Sequence, residues 1–384
     1  MGAWTALWLV RRGAAVTLVD QYPPGSSLAT SGGDTRVSRS AHGSDEHYPR
    51  WQRRSLAQWR ELEAAVHEPL VVPTGVTWFA HAADGFEAES LATLTRMGIP
   101  VERLEADAAA QRWPQISTQG IGWVLHEPEA VVLMARRATA ALGELFVRDG
   151  GALERVRVLP PEETDGADGR LRRLRTADGG ELEADAFVLA AGPWLPRLVP
   201  ALVGQLAVTR QELVFFATPP GDARFEAGVL PTWVEYDAAF YGLPSVEGRG
   251  VKVAPDWPGP VVDPDHEERR LSDERVEAAR AFVRRRFPAL ADQPVAEGRI
   301  CQYETTPDTH FVIDRDERWS NTWVAGGGSG HGFKHGPVIG EYLSALVAGD
   351  ERAAGELAPP DDRFAMRARV PGRGMRTSAA GPPA

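Results

Sequence analysis

The opening run GAWTALWLVRRGAAVTLVD, residues 2–20, limits the fold more tightly than any other feature of the sequence. Residues 3–12 read as a buried helix stopped by Gly13, and 14–20 as a short apolar strand ending in an acid. A dinucleotide-binding unit runs strand, G-x-G-x-x-G, helix, strand, with an acid about 20 residues on that takes the ribose hydroxyls. Gly2 then stands for the third glycine and Asp20 for the ribose acid. Half of that unit is a common pattern and carries little weight alone. The first strand and two of its glycines would lie upstream of Met1, so the expected parallel sheet has a gap. The expectation is that Met1 is an internal methionine and that the natural protein carries roughly 15 further residues, one strand and a glycine loop.

Further along, 21–34 is a turn-rich loop and 47–66 a helix with Trp51, Leu56, Trp59 and Leu62 on one face. VVPTGVTWFAH (71–81) alternates like a strand, and 86–97 and 130–147 have helical periodicity. Apolar runs at 152–158 and 185–192 read as strands around a charged, hairpin-like 168–184. From 203 to 256 the pattern becomes that of a large antiparallel sheet. A charged helix at 271–287 follows, then buried-strand character, then a helix at 336–348. The segment beyond about 364, rich in Arg, Gly, Pro and Ala, is expected to be disordered. No internal repeat occurs. The pattern is that of an α/β nucleotide domain interrupted by an antiparallel domain.

Composition narrows the partners. With 42 Lys and Arg against 53 Asp and Glu, the 384-residue chain carries −11, which repels phosphate backbones and anionic membranes. No nucleic-acid or membrane partner is expected. No stretch reaches the roughly 18 apolar residues of a membrane span. The N-terminal basic pair, Arg11 and Arg12, follows the apolar run instead of preceding it, unlike a signal peptide. The single cysteine, Cys301, excludes an internal disulfide and a cysteine-built zinc site, and points to a reducing, cytoplasmic setting.

Four segments occur in order: SGGDTRVSRSAHG (31–43), YGLPSVEGRGVKV (241–253), CQYETTPDTHFVID (301–314) and GGGSGHGFKHGPVIGE (326–341). Together they resemble the monomeric sarcosine oxidase and N-methyltryptophan oxidase family, flavin amine oxidases of the D-amino-acid-oxidase-like group. The resemblance implies α/β plus antiparallel β: a Rossmann-like FAD-binding domain, lacking its first strand here, interleaved with an antiparallel-sheet substrate domain. The expected boundaries are 1–68, 130–202 and 305–364 for the FAD domain, 69–129 and 203–304 for the substrate domain, and 365–384 for a disordered tail.

The resemblance also implies roles. Cys301 matches the cysteine joined through sulfur to the 8α carbon of FAD. Arg39 and Lys334 match a clamp on the substrate carboxylate, a task that suits a forked guanidinium in a dry pocket. Thr35 and Arg36 match positions beside the flavin ring, where a cation stabilises the charge gained on reduction. Lys252 matches the lysine that promotes reaction with oxygen, and Tyr241 and Tyr303 match aromatic residues near the substrate. His331 is expected at the flavin's pyrimidine edge. Gly328, Gly330 and Gly332 would let backbone N–H groups approach the ring, and Gly192, in AAGPW, would make a backbone contact under the cofactor. His331 and His335 are four apart, but the glycines around them and the lack of an H-E-x-x-H glutamate argue against a metal site.

The activity implied is oxidation of the C–N bond of a secondary amino acid, N-methyl or cyclic, by O2 to an imine and hydrogen peroxide, by a chain acting as a monomer. One position departs from the family: sarcosine oxidase has a histidine four positions after the oxygen-activating lysine, where this chain has Asp256. An acid there argues for a substrate other than sarcosine. Rival readings are an oxidase or dehydrogenase of a primary amino acid or sugar–amine adduct, and a catalytically silent, truncated remnant.

Overall fold

The computed structural model describes residues 1–371. Helix Gly2–Arg11 buries Trp4, Thr5, Ala6 and Leu7 and packs on helix Gly336–Ala348. The two backbones approach so closely that a Cβ on Gly340 would come within 2.6 Å of the Trp4 backbone. Strand Thr17–Asp20 runs parallel to Ala152–Arg155, and Phe187–Leu189 parallel to Thr322–Gly326. These pairs belong to separate sheets.

The other large unit is an eight-stranded sheet in the order Val295–Thr305, Ala207–Phe216, Val251–Pro255, Phe240–Leu243, Thr232–Glu235, Val76–Ala80, Trp123–Glu127 and Glu102–Glu105. It is antiparallel except where Thr232–Glu235 meets Val76–Ala80. Phe216, Trp233 and Phe240 on the sheet meet Phe282 and Phe287 from and just beyond helix Asp273–Arg286, forming one apolar core. Arg286 enters that core beside the fully buried Glu235, with paired bonds of 2.7 and 2.8 Å, so neither charge is left alone.

The segment 71–81, read as one strand, is two, Val71–Pro73 and Val76–Ala80, in separate sheets. Two further readings of the sequence need correction. The segment 130–147 is not one helix: Val131–Leu133 is a strand, and the helix begins at Ala135. Val131, Val132 and Leu133 form the buried centre of a three-stranded sheet, between Arg36–Ser38 and Val71–Pro73. A short, wholly apolar run has no periodicity to separate strand from helix. That sheet also joins segments assigned from sequence to different domains. The second correction is the tail. Residues 365–371 are part of the fold: Met366 is buried, and Arg369 donates to the Asp308 carboxylate (2.7 Å) and to the Phe311 carbonyl (2.8 Å). The remainder of the expected disordered tail, 372–384, lies outside the described residues.

Candidate functional site

Lys252 stands on strand Val251–Pro255, in register with Phe215, and is buried. Its Nζ donates to the Thr35 hydroxyl (2.8 Å) and the Thr35 carbonyl (3.2 Å) and lies 5.5 Å from the Phe215 ring centre. Burial, and then the Arg36 guanidinium, push the lysine down to about 7. Arg36 in turn donates to the carbonyls of Thr35 (2.9 Å) and Thr30 (2.6 Å) and reaches Cys301 Sγ at 3.5 Å. Cys301 is paired with Gln211 on strand Val295–Thr305, so both flanks of Ala207–Phe216 feed this corner. Thr35, Arg36, Lys252 and Cys301 thus form one connected group. The neighbouring Asp34 ties the loop to the sheet through Arg249 (2.8 Å) and Arg299 (3.1 Å).

Tyr241 and Tyr303 meet hydroxyl to hydroxyl at 3.4 Å, and the Tyr303 hydroxyl reaches Asp256 Oδ1 at 3.4 Å. Both contacts exceed the usual 2.5–3.0 Å of an O–H···O bond. The three residues are neighbours, not a tight relay.

Arg39 lies on the loop after strand Arg36–Ser38, buried, with its guanidinium 5.0 Å over the Trp78 ring and a donated bond to the Ala41 carbonyl. Lys334 is buried on the single turn Phe333–His335; its Nζ donates to the His331 carbonyl at 3.1 Å. After burial, the charges of both Arg39 and Lys334 hold His42 and His335 well below the ordinary imidazole range. The two cations therefore converge on one region. His331 Nε2 lies 3.0 Å from the Thr309 carbonyl.

Sequence reasoning missed what holds the Arg39 loop. Glu127, buried at the end of strand Trp123–Glu127, accepts the N–H groups of Ser40 (2.6 Å) and Ala41 (3.2 Å) on one oxygen. The other oxygen accepts the Trp78 indole N–H at 2.9 Å. Burial raises the Glu127 carboxyl against the pull of these donors and of Arg39. Nothing local in the HEPEA segment signals this role, because its partners lie 87, 86 and 49 residues away.

The glycines lie at strand ends. Strand Thr322–Gly326 runs into the loop 327–332, where Gly330 has φ +71° and a Cβ on Gly332 would stand 3.0 Å from the Gly328 Cα. The Gly328 N–H donates to buried Glu304 at 3.3 Å. Gly192, at φ +55°, follows strand Phe187–Leu189, and a Cβ on Gly2 would touch Ala190 at 3.2 Å. Asp20 closes strand Thr17–Asp20, exposed, and accepts the Tyr22 N–H at 2.9 Å. Asp20 therefore stands apart from the cationic corner.

The carboxyl ends of parallel strands, where open α/β sheets bind nucleotide ligands, thus carry Asp20, the 190–192 turn and the glycine loop. A glycine-rich loop with little room for a Cβ at Gly327 and Gly332 lets a flat ring reach backbone N–H groups, and a largely buried cationic group beside a thiol suits a ring that gains negative charge. The residues present fit FAD.

Site and fold together define an FAD-dependent oxidoreductase. The chain matches the DAO family, FAD dependent oxidoreductase, over residues 1–346, and it belongs to that family. It is of the sarcosine oxidase type. It is 31% identical to a monomeric sarcosine oxidase of Bacillus sp. (strain B-0618) over 354 residues, covering 90% of this chain and 89% of that one. An N-methyl-L-tryptophan oxidase of Salmonella arizonae is 28% identical over 369 residues, 94% of this chain and 95% of the relative. In fold, the chain is similar to a modified fructosyl peptide oxidase from Aspergillus nidulans (TM-score 0.82, 21% identity, 99% of this chain and 94% of that chain). It is also similar to L-proline dehydrogenase from P. horikoshii (TM-score 0.79, 18% identity, 95% and 93%). Among the described residues, no helix is long and apolar enough to cross a membrane.

Proposed function

We propose that this chain oxidises the C–N bond of a secondary amino acid, N-methyl or cyclic, with O2 as the final acceptor, giving an imine and hydrogen peroxide. The observation that carries the reading is the connected Lys252–Thr35–Arg36–Cys301 group, buried except for the half-buried Arg36, which reaches Phe333 at the end of the glycine loop. FAD, when bound, would supply a two-electron acceptor for the C–H bond next to nitrogen, with oxygen as the final oxidant.

The chain's own residues do the rest. Arg39 and Lys334 grip the carboxylate; both are buried, so water competes little for the anion and the attraction is stronger than at a surface. Tyr241 and Tyr303 wall the space beside the amine. Lys252 and Arg36 supply positive charge where reduction and oxygen activation place negative charge. Cys301 is the covalent anchor, its thiol held at 3.5 Å from Arg36. Asp20 takes the ribose hydroxyls, and Gly2, Gly192, Gly328, Gly330 and Gly332 admit the cofactor to the backbone, with His331 at the ring edge. Asp256, against Tyr303, places an acceptor in the pocket and favours a substrate bearing a hydroxyl or positive group, which keeps a sugar–amine adduct as the second reading.

The test is peroxide release from a panel of N-methyl, cyclic and primary amino acids and sugar–amine adducts. Mass spectrometry of the Cys301 peptide should show the mass of FAD or its breakdown product. A yellow protein that no amine bleaches without oxygen would refute the reading; an unmodified Cys301 peptide in active enzyme would refute the anchor alone.

A further inference from the structure

His42, from the loop after Arg39, joins His331 and His335 in one buried cluster. One ring nitrogen of each lies within 4.8 Å of the others. The rings are 5.7–6.1 Å apart, centre to centre, and none of the three residues is more than 5% exposed. The His331–His335 pair alone offers too few ligands for a metal; the third histidine comes from nearly 300 residues away.

Hydrogen bonds fix which nitrogens carry lone pairs. His42 Nδ1 lies 2.7 Å from the Ser40 carbonyl and His331 Nε2 lies 3.0 Å from the Thr309 carbonyl. A carbonyl only accepts, so each of those nitrogens bears the proton, and the lone pairs fall on His42 Nε2 and His331 Nδ1. This is the arrangement of metal-binding histidines, whose second nitrogen donates to a carbonyl. His42 Nε2 and both ring nitrogens of His335 are buried without a hydrogen-bond partner. The unpartnered nitrogens of His42 and His335, converging on the His331 ring, call for a cation or a donor. The depth of the cluster restricts that occupant to something small.

We propose that His42, His331 and His335 form a three-imidazole site for a divalent cation of the Zn²⁺ class, with the fourth position open to an anion. Zn–N bonds of about 2.0–2.1 Å put tetrahedral nitrogens about 3.4 Å apart, so each ring needs to move by less than about 1 Å. Arg39 and Lys334 flank the cluster and oppose a dication, so the site is weaker than an unopposed one. The same cations favour an anion as the fourth ligand.

The test is equilibrium dialysis of the FAD-loaded enzyme against Zn²⁺, with metal analysis, which reads binding without turnover and so stands apart from the proposed activity. The expected result is one Zn²⁺ per chain. Retention should weaken by more than tenfold in both His42→Phe and His335→Phe, and should be unchanged in His266→Ala on the surface. Arg39→Met, which removes an opposing charge, should tighten it. Fewer than one retained ion in the wild type would overturn the proposal. Equal retention in the histidine variants, or no tightening in Arg39→Met, would show a site elsewhere and overturn it as well. Should either phenylalanine variant fail to fold, the wild-type stoichiometry and Arg39→Met still decide.

Discussion

The two charged corners of the site are held in place by different means. Lys252 and Cys301 stand on strands flanking Ala207–Phe216: ten paired positions hold the strand of Cys301 to it, and the strand of Lys252 is paired on both sides, with Ala207–Phe216 and with Phe240–Leu243, so neither residue has much freedom. Arg39 and Lys334 stand on loops; one loop is fixed by the Glu127 carboxylate, the other by the turn before helix Gly336–Ala348. A rigid ladder suits groups that serve electron transfer, whose position must not change with the substrate. Loops suit groups that receive a substrate carboxylate. The proposed division of labour therefore coincides with a division of mechanics, and variants at each corner should separate the two half-reactions.

The largest separation is expected from Lys252→Met. Removing a preorganised charge from a buried site costs about 10²–10³ in the step that uses it. Reoxidation of the reduced enzyme by O2 should fall by that order, while anaerobic reduction by substrate changes only a few-fold. Stopped-flow measurement of each half-reaction checks this; equal slowing of both would mean that the sheet corner also positions the substrate.

The same lysine sets the next effect. Its position near 7 means that its charge is present below that pH and is lost as pH rises through it, about tenfold per unit beyond the midpoint. Negative charge on a reduced cofactor would move the midpoint upward. Reoxidation should slow toward high pH in the wild type and be flat in Lys252→Met. A wild-type rate that rises with pH would contradict a role for the cation.

At the loop corner, Glu127→Ala would leave the N–H groups of Ser40 and Ala41 and the Trp78 indole without their acceptor. Unpaired buried donors cost about 1–3 kcal/mol each, part of which the Arg39 loop escapes by shifting. The expected loss is roughly 5–100-fold in kcat/KM, carried by KM, with O2 reoxidation unchanged. Glu127→Gln, which keeps one oxygen acceptor, should recover much of it. A loss in Glu127→Ala carried by kcat at unchanged KM would show that the two corners are mechanically joined.

What the sequence reveals follows the same line. The sheet corner was reached only through the family resemblance, which rests on short segments that hold its residues close together: Thr35 and Arg36 adjacent, Lys252 within a β-rich run, Cys301 two residues before Tyr303. The helices His47–Val66 and Gly336–Ala348 were legible from periodicity and flanking glycines. Glu127 and His42 were not, since each acts through partners far away in sequence and resembles an ordinary residue in its own segment. Strand Val131–Leu133 was hidden for another reason: buried on both faces, it shows no alternation to distinguish it from the helix that follows. The ordered segment 365–371 was hidden by composition, because Arg369 reads as a solvated charge until Asp308 and the Phe311 carbonyl are seen to receive it.

The smallest effect should come from the tyrosines that lie between the two corners. At 3.4 Å, the Tyr303 hydroxyl is too far from Tyr241 and from Asp256 for either bond to contribute its full ~1 kcal/mol. Tyr303→Phe keeps the ring and removes both of those long contacts, so kcat/KM should fall less than about fivefold. Both half-reactions should be nearly intact. A much larger drop, confined to reduction by substrate, would mean that the pocket tightens when the carboxylate is bound, drawing Tyr303 and Asp256 into a short bond. In that case the loop corner would be the moving part that assembles the reactive geometry, and the sheet corner the fixed part on which it closes.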